Sequence, residues 1–483
     1  MSRITIVGGG VSGLVAAHRL APEHEVLVLE SAPRLGGCLE SSTLGGTVAE
    51  GIDLGAEASL FRRPETRDLV ADLGLDPVFP SREHSSQVLS HGRLQPIPRA
   101  TIMGVPGDPD TVAELLGPEA TARVAAEELT APIPGEDTSV GEFLADRLGD
   151  ALVDTLVDPL LAGVYAGRCR DLSLAATVPA LLPAALDGTS VLDRAATLLA
   201  ARAEAARAEA ARTEAARTEG SRTESAHPGP EPIFLSLVGG IGSLIPALAE
   251  AITGAGGRIR TDTPVTGLHR SGDGWSVETG HGPIESDIVI LATPADVTAG
   301  LLAEAAPGPA RTLGQVPYAS TGLVVALVEL GDGDLEGSGF LVPPTEEAFI
   351  KASTFASNKW PWMRDRLPAN TAIVRMSIGR FGDAPGTWQD LDDAELTARA
   401  FADWQRITGR PDDRIAVSEV KRWDRALPQY VPGHLGAMDD LDAQIAGIPG
   451  LELIGSAYSG VGIPACIARA HTVAERLTVA LTA

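Results

Sequence analysis

The sequence predicts an α/β chain, α+β overall, with one parallel sheet, one mixed sheet and a helical lobe. Three observations carry this. The first thirty residues read as strand, glycine turn, helix and strand, the usual start of a parallel sheet. Residues 111–199 are rich in Ala and Leu at helical spacing. Residues 318–422 hold repeated β-branched runs, STGLVVALVEL, GFLVP and IVRMSIGRF. A chain of 483 residues has room for two or three domains, and 44% hydrophobic residues supply a sizeable core.

The N-terminal run MSRITIVGGGVSGLVAAHRLAPEHEVLVLE is the strongest signal. Arg3–Val7 is apolar and β-branched, as a buried strand is. Gly8, Gly10 and Gly13 then give G-x-G-x-x-G. Gly8 permits a tight turn, Gly10 lets backbone approach a pyrophosphate, and Gly13 lets helix and strand pack closely. Val11–Leu20 reads as a helix whose N-terminal amides and dipole face that pyrophosphate. Glu25–Leu29 is the next strand and runs into Glu30. A carboxylate there accepts hydrogen bonds from ribose hydroxyls and disfavours a 2′-phosphate. Taken alone, this unit suits NAD or FAD.

The next segments narrow the choice. SAPRLGG (residues 31–37) puts Arg34, Gly36 and Gly37 in an R-x-G-G turn, typical of a large FAD-binding group in which the loop runs along the pyrophosphate. TVAEGIDLGAEASL (47–60) reads as a strand and a turn at Gly55, Ala56, Glu57 and Ala58, where backbone can approach an isoalloxazine. SHGRLQPIPR (90–99) alternates and carries two prolines, as a hairpin strand at a domain edge does. The helical stretch that follows is punctuated by Pro132, Pro134, Pro159, Pro179 and Pro183.

Residues 200–224 are a five-residue repeat, AARAE, AARAE, AARTE, AARTE, GSRTE. It offers the i,i+3 pairs Glu204–Arg207, Glu209–Arg212, Glu214–Arg217 and Glu219–Arg222. A period of five advances about 140° per repeat on a helix, so the charges wind round the axis and leave no apolar stripe. AHPGPEP (226–232) then acts as a linker. Residues 234–252 read as strand, Gly turn and helix, and 258–268 as a strand with Val265 near its end. Residues 275–279 alternate as a hairpin strand, and IESDIVILA (284–292) is a buried strand leading into Thr293 and Pro294. The C-terminal LELIGSAYSGVGIPACIARAHTVAERL reads as strand, Gly-rich turn and helix. Gly460 and Gly462 let backbone crowd a flavin, and the helix from about Pro464 aims its N-terminus at the flavin's pyrimidine end.

Composition excludes several classes. A net charge of -26 argues against nucleic acid or an anionic membrane as the main partner. Cys38, Cys169 and Cys466 are far apart and lack C-x-x-C spacing, which suits a reducing cytoplasm. The histidines show no paired ligand spacing, so no metal site is expected. The N-terminus enters a strand at once, and no run approaches the ~20 apolar residues of a membrane span. A soluble, cytoplasmic protein is expected.

GGGVSGL, the R-x-G-G turn, LLAGVYAGR (160–168), FLSLVGGIGSL and SGVGIPACI together resemble the protoporphyrinogen/coproporphyrinogen oxidases, amine-oxidase-like FAD enzymes of haem synthesis. KASTFASNKWP (351–361) is similar to the Gram-positive bacterial form. The resemblance covers nearly the whole chain except residues 196–232. It implies a Rossmann-like, GR2-type FAD-binding domain from residues 1–80, 233–295 and 421–483. A mixed-sheet substrate domain would come from 81–105 and 296–420, a helical lobe from 106–199, and an insertion and linker from 200–232. It implies oxidation of coproporphyrinogen III to coproporphyrin III, with six electrons passed to O2 as peroxide. Protoporphyrinogen IX, or another amine- or carotenoid-oxidising flavoprotein chemistry, is the alternative. Non-covalent FAD would be met by Gly8, Gly9, Gly10, Val11, Ser12, Gly13, Glu30 and Ser31, with Arg34 and Gly37 in the turn. Further on, Gly55, Ala56, Glu57, Ala58, Val265, Trp423, Val461, Gly462 and Ile463 complete the expected cofactor set. Ala465 stands where family members often carry Asp, and Cys38 where they tend to carry a basic or polar residue. Cys466 is read as a small packed residue.

The implied substrate is a carboxylate-bearing porphyrinogen, and its oxidation is hydride loss to the flavin, which needs no side-chain nucleophile. No general base is assigned. The propionates need cations. Arg99 lies where the family carries an arginine facing a propionate, with Lys359 and Arg168 as second choices and Tyr165 as a pocket-lining aromatic. The partners implied are the porphyrinogen and O2. A transient haem-pathway partner, and either a monomer or a dimer, are compatible with this reading.

Overall fold

Five strands form a parallel sheet in the order Arg258–Arg260, Glu25–Leu29, Arg3–Val7, Ile288–Leu291, Leu451–Leu453. The computed structural model describes residues 1–48, 51–218, 232–331, 333–384 and 386–482, without the side chains of residues 209, 210, 212–218 and 482. The strands are near-continuous apolar runs because both faces of the sheet are covered. Ile4, Ile6, Val26, Val28 and Ile290 face the helices Val11–Leu20, Leu244–Gly254 and Ile463–Thr482. Val7, Leu27, Leu29, Val289 and Leu291 face a second core with Trp275, Leu301 and Leu441.

Two expected strands are each divided. Residues 258–268 split because Asp262 takes a left-handed conformation (φ 50) and Pro264 has no N–H to extend a ladder. Only Arg258–Arg260 stays in the parallel sheet, and Val265–Ser271 begins an antiparallel sheet with Gly274–Thr279 and Ile284–Ser286. Residues 284–292 split at Asp287, whose carboxylate takes the Arg3 backbone N–H at 2.8 Å and the Arg3 guanidinium at 2.7 Å.

The mixed sheet has seven strands, in the order Arg414–Pro428, Tyr318–Glu329, Thr371–Ile378, Ile350–Phe355, Gly339–Leu341, Ser86–Ser90, Arg93–Pro96. All neighbours are antiparallel except Gly339–Leu341 with Ser86–Ser90. The proline-bearing strand lies at the edge, joined through His91 (φ 52) and Gly92 (φ 71), the two positive φ values of a type I′ hairpin. One face packs Val324, Val374 and Met376 against Trp388 and Trp404, the latter on helix Asp393–Thr408. The other packs Leu323, Val325 and Ile373 against Trp360 and Met363. Trp423 sits on the strand Arg414–Pro428, so residues 421–428 belong to this sheet and not with the parallel-sheet segment expected to begin at 421. β-Propensity across 414–428 is weak, and its pairing with Tyr318–Glu329 decides the strand.

The lobe is helical, with Pro118 and Pro183 in first helical turns, where a missing N–H costs nothing. Asp150–Leu152, a π-turn over Val153–Val157 and Asp158–Tyr165 follow one another as a single helical run. Helix Val191–Thr218 carries the start of the repeat and is exposed from Ala200 to Ala208. The pairs Glu209–Arg212, Glu214–Arg217 and Glu219–Arg222, and residues 226–231 of the linker, lie outside the described residues or side chains. Among the described residues no helix is long and apolar enough to cross a membrane.

Candidate active site

The glycine turn is built as the spacing requires. Gly8 (φ 111) donates its N–H to Leu29 O at 2.8 Å, and a Cβ on it would stand 2.8 Å from Ala292 O. A Cβ on Gly13 would overlap the Gly8 carbonyl oxygen, so helix and strand can touch only without one. Gly10 differs, since a Cβ there would meet nothing within 4 Å. Gly10 caps the helix Val11–Leu20 without a side-chain hydrogen bond, and the first turn holds no acidic residue. The amides of Val11, Ser12 and Gly13 thus present an uncompensated positive helix end.

Glu30 is fixed in place. Its Oε2 accepts the Gly9 N–H at 2.7 Å, and its Oε1 accepts the Ala32 N–H at 2.8 Å and the Ser31 hydroxyl at 3.2 Å. A carboxylate has about four acceptor directions, so this one keeps about one for a ribose hydroxyl. Thr263 N–H donates to Glu30 O at 2.9 Å, which brings the segment before Val265 beside it. The R-x-G-G turn lies on the glycine turn, with Gly36 N–H donating to Gly9 O at 2.8 Å. Arg34 clamps that turn through Leu35 O (3.1 Å), Gly37 O (2.9 Å) and Glu40 (2.5 Å). An open backbone at Gly10, an uncapped helix end and an oriented carboxylate fit the ribose and diphosphate of the implied FAD.

Three distant segments meet next to this cradle. Trp423 donates its indole N–H to Leu54 O at 2.7 Å. A Cβ on Gly55 would overlap Cys38 O and stand 3.2 Å from the Trp423 ring. Arg34 and Lys421 lie 5.7 and 4.7 Å from the same ring, and both pair with Glu40. Ala56 packs against the core of Ile4 and Ile6, and Ala58 against that of Trp360 and Met363.

The C-terminal motif arrives from the other side. Helix Ile463–Thr482 also has no acidic residue in its first turn. Its Cys466 thiol lies beside Ser12, so the two helix N-termini converge. Burial pushes that thiol up to about 11, which makes it a packed group rather than a thiolate. Tyr430 sets the loop before the helix, since its hydroxyl donates to Ser456 O at 2.6 Å and accepts the Gly460 N–H at 2.8 Å. Val461 packs on the lobe core, and Gly462 is exposed at the turn.

The Glu57 side chain turns into a buried ion-pair cluster. Its carboxylate accepts the Trp360 indole N–H at 2.7 Å, lies 3.2 Å from Lys359 Nζ and pairs with Arg375. Arg375 also donates to Gly55 O at 2.6 Å. Burial acts to raise the Glu57 carboxyl, but Lys359 and Arg375 outweigh it and hold it down at about 2. Lys359, expected to meet a propionate, is therefore already matched in a mostly buried ion pair. Behind the turn, Asp53 accepts the backbone N–H groups of Ile241 and Gly242 at 3.0 and 3.1 Å. Burial raises its carboxyl to about 7, against Arg375 and those two N–H groups.

The other expected substrate residues separate. Arg99 is exposed beyond the edge strand Arg93–Pro96 and, among the described residues, makes no ion pair or hydrogen bond. Arg168 lies 3.4 Å from Asp383 and is a third exposed. Tyr165, the candidate pocket-lining aromatic, is 8% exposed in the lobe core and tilted against Tyr430 at 6.0 Å. Sequence reasoning missed Arg375, Asp53 and Tyr430. The available sign for Arg375 was a lone cation inside the apolar strand IVRMSI.

Comparison with known proteins places these features in a wider setting. Residues 11–478 match the family model described as flavin containing amine oxidoreductase. The chain is 35% identical to the coproporphyrinogen III oxidase of Mycobacterium tuberculosis, over 99% of this chain and 98% of that one. It is 28% identical to the coproporphyrinogen III oxidase of Bacillus subtilis, over 96% and 95% of the two chains. A crystal structure from Exiguobacterium sp. 255-15, provisionally named a protoporphyrinogen oxidase, superposes with a TM-score of 0.81 at 29% identity, covering 99% of both chains.

Proposed function

Because this chain belongs to the flavin-containing amine oxidoreductases, and within them to the coproporphyrinogen and protoporphyrinogen oxidases, we propose that it oxidises coproporphyrinogen III to coproporphyrin III, using FAD and O2. The full-length identity of 35% to a coproporphyrinogen III oxidase supports the substrate most directly. FAD, when bound, supplies a hydride acceptor that O2 regenerates. Each two-electron step removes one hydride and one proton from the porphyrinogen and turns one O2 into H2O2. Three such steps remove the six electrons that separate porphyrinogen from porphyrin.

The chain's own residues bind and orient. The amides at residues 11–13 and the open backbone at Gly10 hold the diphosphate, and Glu30 holds the adenosine ribose. The turn at Gly55 and Ala56, Trp423 and the loop of Val461, Gly462 and Ile463 frame the ring system. The helix end at Ile463 favours negative charge as the ring is reduced. The cofactor is read as held non-covalently, with the buried Cys466 thiol packed as a neutral group. Arg99, a cation with no ion pair among the described residues, receives a propionate.

Purified protein reconstituted with FAD and desalted tests this. Coproporphyrinogen III should yield fluorescent coproporphyrin III with three O2 consumed per porphyrin. Protein that takes up no FAD, or FAD-loaded protein that forms no porphyrin above the autoxidation rate, contradicts the reading.

A further inference from the structure

The chain is strongly acidic overall, yet it gathers three cations at the seam between lobe and mixed sheet. Arg168 ends VYAGR, and Arg380 follows the strand Thr371–Ile378. Lys351 lies on Ile350–Phe355 and is 8% exposed. Lys351 Nζ donates to Gly379 O at 2.6 Å, Arg380 donates to Val342 O at 2.7 Å, and Phe381 N–H donates to Ala166 O at 2.7 Å. These bonds hold the turn after Ile378 against the lobe.

Two carboxylates, Asp383 and Asp158, stand near, and with Lys351 protonated the three cations exceed them by one. Asp383 is 3.4 Å from Arg168 and accepts the Arg380 backbone N–H at 2.7 Å. Asp158 is 3% exposed, and one of its oxygens accepts the Cys169 N–H at 2.7 Å. Among the described residues, the Arg380 Nε–H is buried with no partner. A buried guanidinium donor left unpaired is costly unless an acceptor reaches it. Burial and Arg380, with Asp383 opposing, depress the Lys351 ammonium to about 7, as expected where cations outnumber their partners.

Apolar surface lies beside this group. The helix Asp158–Tyr165 exposes Gly163 and Val164, the latter 47% exposed, while Leu161 and Tyr165 are buried. A Cβ on Gly163 would stand 3.8 Å from Leu341 on the facing strand. Small apolar wall beside surplus cation is the chemistry that receives an apolar ring bearing a carboxylate.

This station is separate from Arg99. Arg380 reaches the C-terminal end of Gly339–Leu341, at Val342. Arg99 follows the edge strand two strands away, beyond Ile97, whose N–H donates to Ser86 O opposite Gly339, at the other end. Two strand spacings alone are ~10 Å. We infer that Arg380 and Arg168, backed by Lys351, form a second carboxylate station that selects porphyrinogens bearing propionates on all four pyrroles. A porphyrinogen with propionates on two adjacent pyrroles is served by the Arg99 station alone. This rests on the reading of the chain as a porphyrinogen oxidase.

The test compares FAD-loaded wild type, R380M and R380K on coproporphyrinogen III and protoporphyrinogen IX, with coproporphyrin III binding followed by fluorescence. In R380M the KM for coproporphyrinogen III and the Kd for coproporphyrin III should rise ~10- to 100-fold, the range for losing a charged hydrogen bond. The KM for protoporphyrinogen IX should rise less than ~3-fold, and R380K should recover part of the loss. Equal losses on both substrates, or none on either, overturn the second station while leaving the enzymatic reading intact. Wild type inactive on both substrates overturns the enzymatic reading, and the station with it.

Discussion

At the scale of single residues, the decisive groups are charges that the fold has buried. Arg375 joins two tasks, fixing Gly55 O and matching Glu57, which also holds Lys359 and Trp360. Replacing Arg375 with Met leaves a buried carboxylate short of a partner. Urea unfolding of R375M should show a loss of ~3–5 kcal/mol, the range for breaking a buried ion pair. The two carboxylates near Arg375 should respond oppositely to pH. Glu57 is held down from 4.5 to about 2, so its contribution is present above 4.5 and is lost as pH falls towards 2. Asp53 is raised from 3.8 to about 7, so the native state binds the extra proton between these values and stability falls as pH rises through that window. D53N should flatten the stability profile between about pH 4 and pH 7, and an unchanged slope would show that Asp53 does not set it. None of these partners could be read from the sequence, because Glu57 and Arg375 are 318 positions apart and only the sheet brings them together. That is why Lys359 reads as a candidate for the substrate and is found in an ion pair.

At the scale of elements, the glycine turn separates binding from folding. Gly13 has no room for a Cβ, whereas Gly10 has open space around it and an ordinary extended backbone (φ -74, ψ 175). G13A should therefore cost about 1–3 kcal/mol of stability through overpacking. G10A should change the stability of the apoprotein by less than about 1 kcal/mol. It should nevertheless weaken FAD binding on the order of tenfold or more, about 1.4 kcal/mol, by crowding the diphosphate. Flavin fluorescence titration and thermal unfolding of the two variants check the contrast. This element was legible because its evidence is local: strand, turn, helix and acid follow one another within thirty residues. Strand ends were less legible. The run at 258–268 has strand composition throughout, and the left-handed Asp262 that divides it depends on how two sheets meet.

At the scale of the whole molecule, the site is the meeting of the parallel sheet, the mixed sheet and the lobe. Trp423 crosses from the mixed sheet to Leu54 O, and Tyr430 ties the lobe to the C-terminal loop through Ser173 N–H, Ser456 O and Gly460 N–H. Y430F removes the bond to Ser456 O and the acceptor for Gly460. It should cost ~1–3 kcal/mol for the polar groups left unpaired, read as a lower thermal midpoint. The sequence showed that three parts exist; which strand belongs to which sheet needed the long-range register of residues 414–428 with 318–329. On the proposed function, this assembly moves hydride from a porphyrinogen to bound FAD. Anaerobic mixing of FAD-loaded protein with coproporphyrinogen III tests it most directly. The yellow flavin absorbance should bleach on mixing and return when O2 is admitted, with coproporphyrin formed. Flavin that stays oxidised in the presence of excess coproporphyrinogen III would contradict it.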